Sequence, residues 1–251
     1  MTKSSNNYFE GNRAKFAAVT NVLSTAFRTI EAMVPPPEFK LVNGSPQLRY
    51  VQQSLQQAAV QKMARYMSGL NVLLLLLEHG YLQEQGVIQR TLDEIGDDIM
   101  FLLMPPVTDS EEALHSRFLK VFFEEEFDEG VATLHSTKRR DQVRRKDIRA
   151  YIHRRAPSEH GKKASAIVYQ TYSGFVHAAS PMVMEMCGWL DRRFHIAGMP
   201  ESNLLPGHVD DAWNYFIRGL QNAAMIAGVL GRMDLYTFLR AKADEQDDAM
   251  N

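Results

Sequence analysis

The chain has 251 residues and a formal net charge of −2, with 45% hydrophobic and 23% charged residues. That length supports a sizeable core, and that composition excludes a disordered or fibrous chain. A single cysteine, Cys187, excludes an internal disulfide framework and fits a reducing, cytoplasmic setting. The most apolar run, Leu70 to Leu77, is interrupted by Asn71 and closed by Glu78 and His79. It is too short to span a bilayer, the polar N-terminus has no apolar signal core, and no membrane contact is expected.

Proline and glycine punctuate a chain that otherwise reads as helices, with no significant sheet. A first helix is expected from Glu10 to Val34, stopped by Pro35-Pro36-Pro37. Ser45-Pro46 reads as a cap followed by proline at the first helical position, opening a helix that runs to Glu78, with Gly69 as an alternative break and His79-Gly80 as its stop. The next helix covers Gln83 to Met104, with Ile88, Leu92, Ile95, Ile99 and Leu102 as its core stripe. Asp109-Ser110-Glu111-Glu112 opens another, which carries Leu114, Phe118, Val121 and Phe122 inward.

A basic helix is expected from Lys138 to Arg155, then helices from Lys162 to Ala179 and from Pro181 to Arg193. After an irregular loop, Asp210 to Ala243 reads as one long helix whose Ala223, Ala227 and Gly231 share a face. The architecture expected is an all-α bundle of seven or eight helices. It divides into an N-terminal extension, residues 1–59, and a core, residues 60–251, or forms one continuous domain.

Charge is unevenly spread. Residues 137–163 hold eleven Lys or Arg against three acids, so the remainder is near −10. A basic surface attracts phosphates, which points to Arg139, Arg140, Arg144, Arg145 and Arg149 as nucleic-acid contacts. The same residues fit equally well against the acidic run Glu124-Glu125-Glu126-Phe127-Asp128-Glu129, in this chain or in a second copy.

Two polar pairs at helical spacing are candidates for chemistry. Arg90 and Glu94 lie opposite the apolar stripe of their helix, which gives either a solvated ion pair or a central helix facing a polar cavity. Ser173 and His177 lie on one face of a later helix. A neutral histidine accepts a proton and could act as a general base; a helix-end or hydrogen-bonded structural histidine is the plainer alternative. A serine hydrolase needs a Gly-x-Ser-x-Gly elbow between strand and helix, which is missing. Glu112-x-x-His115 has di-iron spacing without a second copy, and phosphate loops are absent, so neither metal nor cofactor is expected.

Leu74-Leu75-Leu76-Leu77-Glu78-His79-Gly80, then Arg90-x-x-x-Glu94 and Tyr172-Ser173-x-x-x-His177, resembles a bacterial all-helical family related to HEPN domains. The resemblance covers residues from Val60 to Ala179. It implies a helical bundle, frequent homodimers, and RNA binding or metal-independent RNA cleavage in stress response or defence. The HEPN nuclease motif sets an arginine four to six intervening residues before histidine, and here Gln170, Thr171 and Tyr172 stand at those positions. Arg155 and His160 have the count but are split by Pro157, and Arg149 and His153 are one residue too close. Cleavage would therefore require Arg90 to reach the same cavity or dimer groove as His177. The rival expectation is a non-enzymatic module that binds a protein partner.

Overall fold

Several helix breaks fall at proline or glycine positions, those after α1, α2, α3 and α8 among them. The computed structural model describes residues 6–248. Among these residues are nine α-helices and a two-stranded hairpin, so the chain is all-α in class. Helix α1 spans Asn6–Glu31 and ends before the prolines. Its Phe16, Leu23 and Ile30 recur at seven-residue intervals and are at most 1% exposed, so they form one continuous stripe in the main core. The segment set apart as an extension thus supplies part of that core.

The expected helix start at Ser45-Pro46 is a strand instead. Strands β1, Glu38–Val42, and β2, Ser45–Arg49, pair antiparallel with Val42 opposite Ser45. Asn43 and Gly44 connect them with φ of 49° and 76°. Positive φ at both central residues is the type I′ hairpin geometry, and Asn-Gly is the dipeptide that favours it. Pro46 then falls opposite Leu41, one residue beyond the closing pair, where its missing N–H removes no ladder bond. Helix α2, Leu55–His79, starts only at Ser54, whose hydroxyl accepts from the Gln57 amide in a capping box. Gly80 ends it at φ 69°, where a Cβ would also sit 2.2 Å from the Met199 carbonyl carbon.

Helix α3, Leu82–Leu103, packs against α2 and three later helices, so it is buried on more than one face. Leu92, Ile99 and Leu102 of the expected stripe are essentially inaccessible, and Ile95 is buried. Helix α4, Asp109–Phe123, is capped by Thr108. The basic helix is shorter than expected: α5 covers Arg145–Arg155, and residues 138–144 are not helical. The backbone amides of Thr137 and Lys138 donate to the Asp128 carboxylate, while Arg140 donates to the Val121 carbonyl at the end of α4. These bonds hold the segment extended along α4.

Helix α6, Glu159–Val176, is followed by α7, Ser180–Val183, and a 3₁₀ turn, Met184–Met186. The helix expected to continue to Arg193 stops there, and an isolated bridge between Cys187 and Phe194 closes a loop. The last expected helix is two: α8, Leu205–Val229, and α9, Met233–Asp248, divided at Gly231 with φ 79°. Ala223 and Ala227 are fully buried in α8, and Tyr236 of α9 folds back against Gly228. The main core joins α1, α2, α3, α6, α8 and α9, while a smaller aromatic cluster of Phe101, Phe118, Tyr151 and Ile148 joins α3, α4 and α5.

Candidate functional site: the charged seam around α3

Helix α3 carries four carboxylates within six positions: Asp93, Glu94, Asp97 and Asp98. Their spacing puts Asp93 and Asp97 on one line of the helix, and Glu94 and Asp98 on the next. Asp98 is 1% exposed. Arg145 of α5 donates to both its oxygens, at 2.5 and 3.0 Å, and Lys62 of α2 donates at 2.7 Å. Arg145 also donates to the Glu94 carbonyl at 3.0 Å. One turn further along α5, Arg149 pairs with Asp97 at 3.0 Å. The four-residue spacing of Arg145 and Arg149 on α5 thus meets the adjacent acids Asp98 and Asp97 of α3 as two guanidinium–carboxylate pairs.

Asp93, at the start of the seam, faces α8. Arg218 donates to one Asp93 oxygen at 2.6 Å and the Tyr215 hydroxyl to the other at 3.1 Å. Burial pushes the Asp93 carboxyl above the usual carboxylate range, against the pull of Arg218 and these hydrogen bonds. Burial also raises the Tyr215 and Tyr172 phenols. The Tyr66 hydroxyl donates to the Tyr215 carbonyl at 2.9 Å and ties α2 to the same network.

Arg90 and Glu94 form the expected pair at 2.7 Å, and Arg90 is only 11% exposed in its side chain. Its guanidinium stacks on Tyr169 of α6 at 3.9 Å from the ring centroid, and Arg149 stacks on the same ring at 4.2 Å. Arg90 Nη1 is buried with no hydrogen-bond partner. Next to this stack, Asp93, Asp97, Arg149, Ser165, Tyr169 and Arg218 line a cavity of about 240 Å³. The central, doubly packed setting expected for α3 is what the structure shows. This cavity is lined by neither Arg90 nor Glu94; Glu94 instead lines a second cavity, of about 430 Å³, with Lys62, Asp98, Arg144 and Arg145.

His177 is exposed and lies just past the end of α6, where its backbone N–H donates to the Ser173 carbonyl at 3.1 Å. Tyr169, the residue that meets Arg90, lies eight positions earlier, about 12 Å along the helix axis at 1.5 Å per residue. Phe175 packs instead on Gly86, a full turn before Arg90 on α3. The structure therefore does not bring His177 and Arg90 to a shared cavity within one chain. Ser173 near the end of α6 and His177 just past it share a backbone hydrogen bond, while Arg90 and Glu94 pair on α3, so the two groups stay separate.

The basic residues divide in a similar way. Arg145 and Arg149 bind α3, Arg140 pairs with Glu126 at 3.0 Å, and Arg144 pairs with Asp147 at 2.9 Å. Lys138 reaches Glu124 at 3.4 Å and Arg49 reaches Glu125 at 2.6 Å, so Glu124 to Glu126 of the acidic run are each paired within the chain. Arg139 is exposed. Sequence reasoning missed Asp93, Asp98, Lys62, Tyr169 and Arg218 as members of this seam. The signal was present in the i,i+4 acids of one helix and the i,i+4 arginines Arg145 and Arg149 of another.

Every carboxylate of the seam has a cationic partner, and among the described residues the hydroxyl groups lining the cavity of about 240 Å³ are those of Ser165 and Tyr169. Among the described residues no group of three His, Cys, Asp or Glu is placed to hold a metal ion. The arrangement ties α2, α5, α6 and α8 to α3 through ion pairs and a guanidinium–tyrosine stack. No family model, no curated protein and no solved structure matches the chain.

Proposed function

We propose that the chain is a non-enzymatic helical module that acts by binding another protein, a second copy included. The observation that carries this is the contrast between the paired charges of the α3 seam and an uncovered apolar surface on the hairpin. Phe39, Leu41 and Leu48 share one face of the hairpin and are 77%, 72% and 53% exposed. Exposed apolar side chains grouped on one rigid element mark interaction surfaces, whereas scattered ones do not. Replacing all three by serine is expected to leave the melting temperature within about 2 °C and to remove partners retained by the wild-type chain in quantitative affinity capture. Identical retention by both chains sinks the reading.

A second reading, RNA binding by a HEPN-like bundle, is supported by a different observation. Arg139, Lys146, Arg155, Lys162 and Lys163 are exposed and meet no carboxylate among the described residues. In this reading the phosphate contacts shift from Arg145 and Arg149 toward these five cations. Cleavage would then need His177 of one protomer beside an arginine of another. Binding that weakens steeply between 50 and 200 mM salt, and is lost in Lys162→Glu/Lys163→Glu, supports it. Salt-independent or absent binding removes it.

A further inference from the structure

The segment following the 3₁₀ turn holds a second concentration of solvent-facing apolar groups. Trp189 is 92% exposed, Leu190 96%, Ile196 83% and Phe194 54%. Four large apolar side chains within eight positions of one loop exceed the isolated exposures normal on a soluble protein. The loop is not loose chain. Its base is the Cys187–Phe194 bridge, with Gly188 N–H donating to the Arg193 carbonyl at 2.8 Å and His195 N–H to the Met186 carbonyl at 2.9 Å. Arg192 N–H closes the tip by donating to the Gly188 carbonyl at 2.9 Å.

Charge at this loop is one-sided. Its only acid, Asp191, lies 3.1 Å from the His195 ring and accepts from the Arg193 backbone N–H at 3.2 Å. Arg192 and Arg193 are both exposed, and neither side chain meets a carboxylate among the described residues. The loop therefore presents an indole, an isobutyl group and two guanidinium groups to water within residues 189–193.

We infer that this loop, residues 187–196, is a peripheral docking element for an anionic lipid surface. Trp189 and Leu190 enter the headgroup boundary, while Arg192 and Arg193 meet lipid phosphates. Indole rings favour that boundary because one edge is apolar and the N–H stays wet, and cationic side chains beside them add attraction to anionic leaflets. A protein pocket would have to match the shape of two adjacent, almost fully exposed side chains. A fluid interface imposes no such match, and the two free guanidinium groups complement it directly. No helix among the described residues is long and apolar enough to cross a membrane, so the contact is with the surface alone. This inference stands apart from the protein-binding reading, which rests on the hairpin.

The test is flotation of the full chain with vesicles of phosphatidylcholine alone and with 30% phosphatidylserine added (about 0.1 M salt). Iodide quenching provides a second readout, because Trp189 is the exposed indole while Trp213 is 2% exposed. Expected results are flotation with the anionic vesicles, shielding of Trp189 from iodide, and little binding to neutral ones. Trp189→Ala/Leu190→Ala should lower the apparent partition at least tenfold, and Arg192→Glu/Arg193→Glu should abolish the preference for anionic lipid. Both changes lie on exposed side chains, and unchanged thermal melts verify folding. Failure of the wild-type chain to float at low salt overturns the inference and leaves a protein pocket as the occupant. Binding that survives both double substitutions overturns it as well.

Discussion

Arg145 is the residue on which the two views of the basic segment differ most sharply. Exchange for methionine keeps most of the aliphatic stem and removes two charge-assisted bonds to Asp98 and one to the Glu94 carbonyl. Asp98, 1% exposed, keeps Lys62 but loses its bidentate partner. Removing one partner of a buried pair costs about 3–5 kcal/mol when nothing replaces it. With Lys62 retained the expected loss is about 2–3 kcal/mol, or roughly 4–12 °C in melting temperature at 2–4 °C per kcal/mol for a chain of this size. Arg144→Met removes an ion pair whose arginine is 68% exposed, and should cost less than about 1 kcal/mol. Urea and thermal unfolding of the two variants at pH 7 measure the difference, and 1 M salt should shrink the Arg144 effect more than the Arg145 effect. A double-mutant cycle with Asp98→Asn should return a coupling of at least about 1 kcal/mol. If Arg145→Met unfolds within 0.5 kcal/mol of wild type, the seam does not hold α5, and Arg145 regains its standing as a free phosphate contact.

Three further outcomes follow from the same geometry. Gly86→Ala should lose about 1–3 kcal/mol, because the new Cβ would meet the Phe175 ring at 2.4 Å, whereas Gly207→Ala, with open space around it, should be neutral or slightly stabilising in the same unfolding assay. His115 is buried between Phe101 and Tyr151 with Nε2 unpaired, and burial lowers its pKa below 6.5 against the opposing pull of Glu111. The unfolded chain therefore binds this proton more readily, so stability is full above pH 6.5 and falls as pH drops below it. His115→Phe should flatten the pH dependence of the urea midpoint between pH 7.5 and 5; an unchanged slope would refute the assignment. Gly44→Val, at φ 76°, should cost about 1–2 kcal/mol locally and loosen hairpin amide protection without moving global melting, measured by hydrogen exchange.

Particular residues show why some of this was legible in the chain and some was not. Stop signals are local, so Pro35 to Pro37 and Gly80 end helices where expected, and the stripe through Leu92 and Ile99 marks a buried face. Ser45-Pro46 carried two meanings, helix start and hairpin edge, and the preceding Asn43-Gly44 was the local signal that decides between them. At Gly231 a glycine that suited a close-packed helix face was instead the left-handed break between α8 and α9.

Local pattern by itself determined the helical class, most of the helix ends, the core stripe of α3, and the presence of the Arg90–Glu94 pair. Only the tertiary structure decided where the charges went. Whether Arg145 and Arg149 face phosphate or carboxylate depends on which helix lies across from them, and Asp97 and Asp98 lie 47 to 52 positions away along the chain. The same holds for His177 and Arg90, whose separation is set by the register of α6 on α3. Periodicity assigns a side chain to a face of its own helix, but packing against other helices chooses its partner.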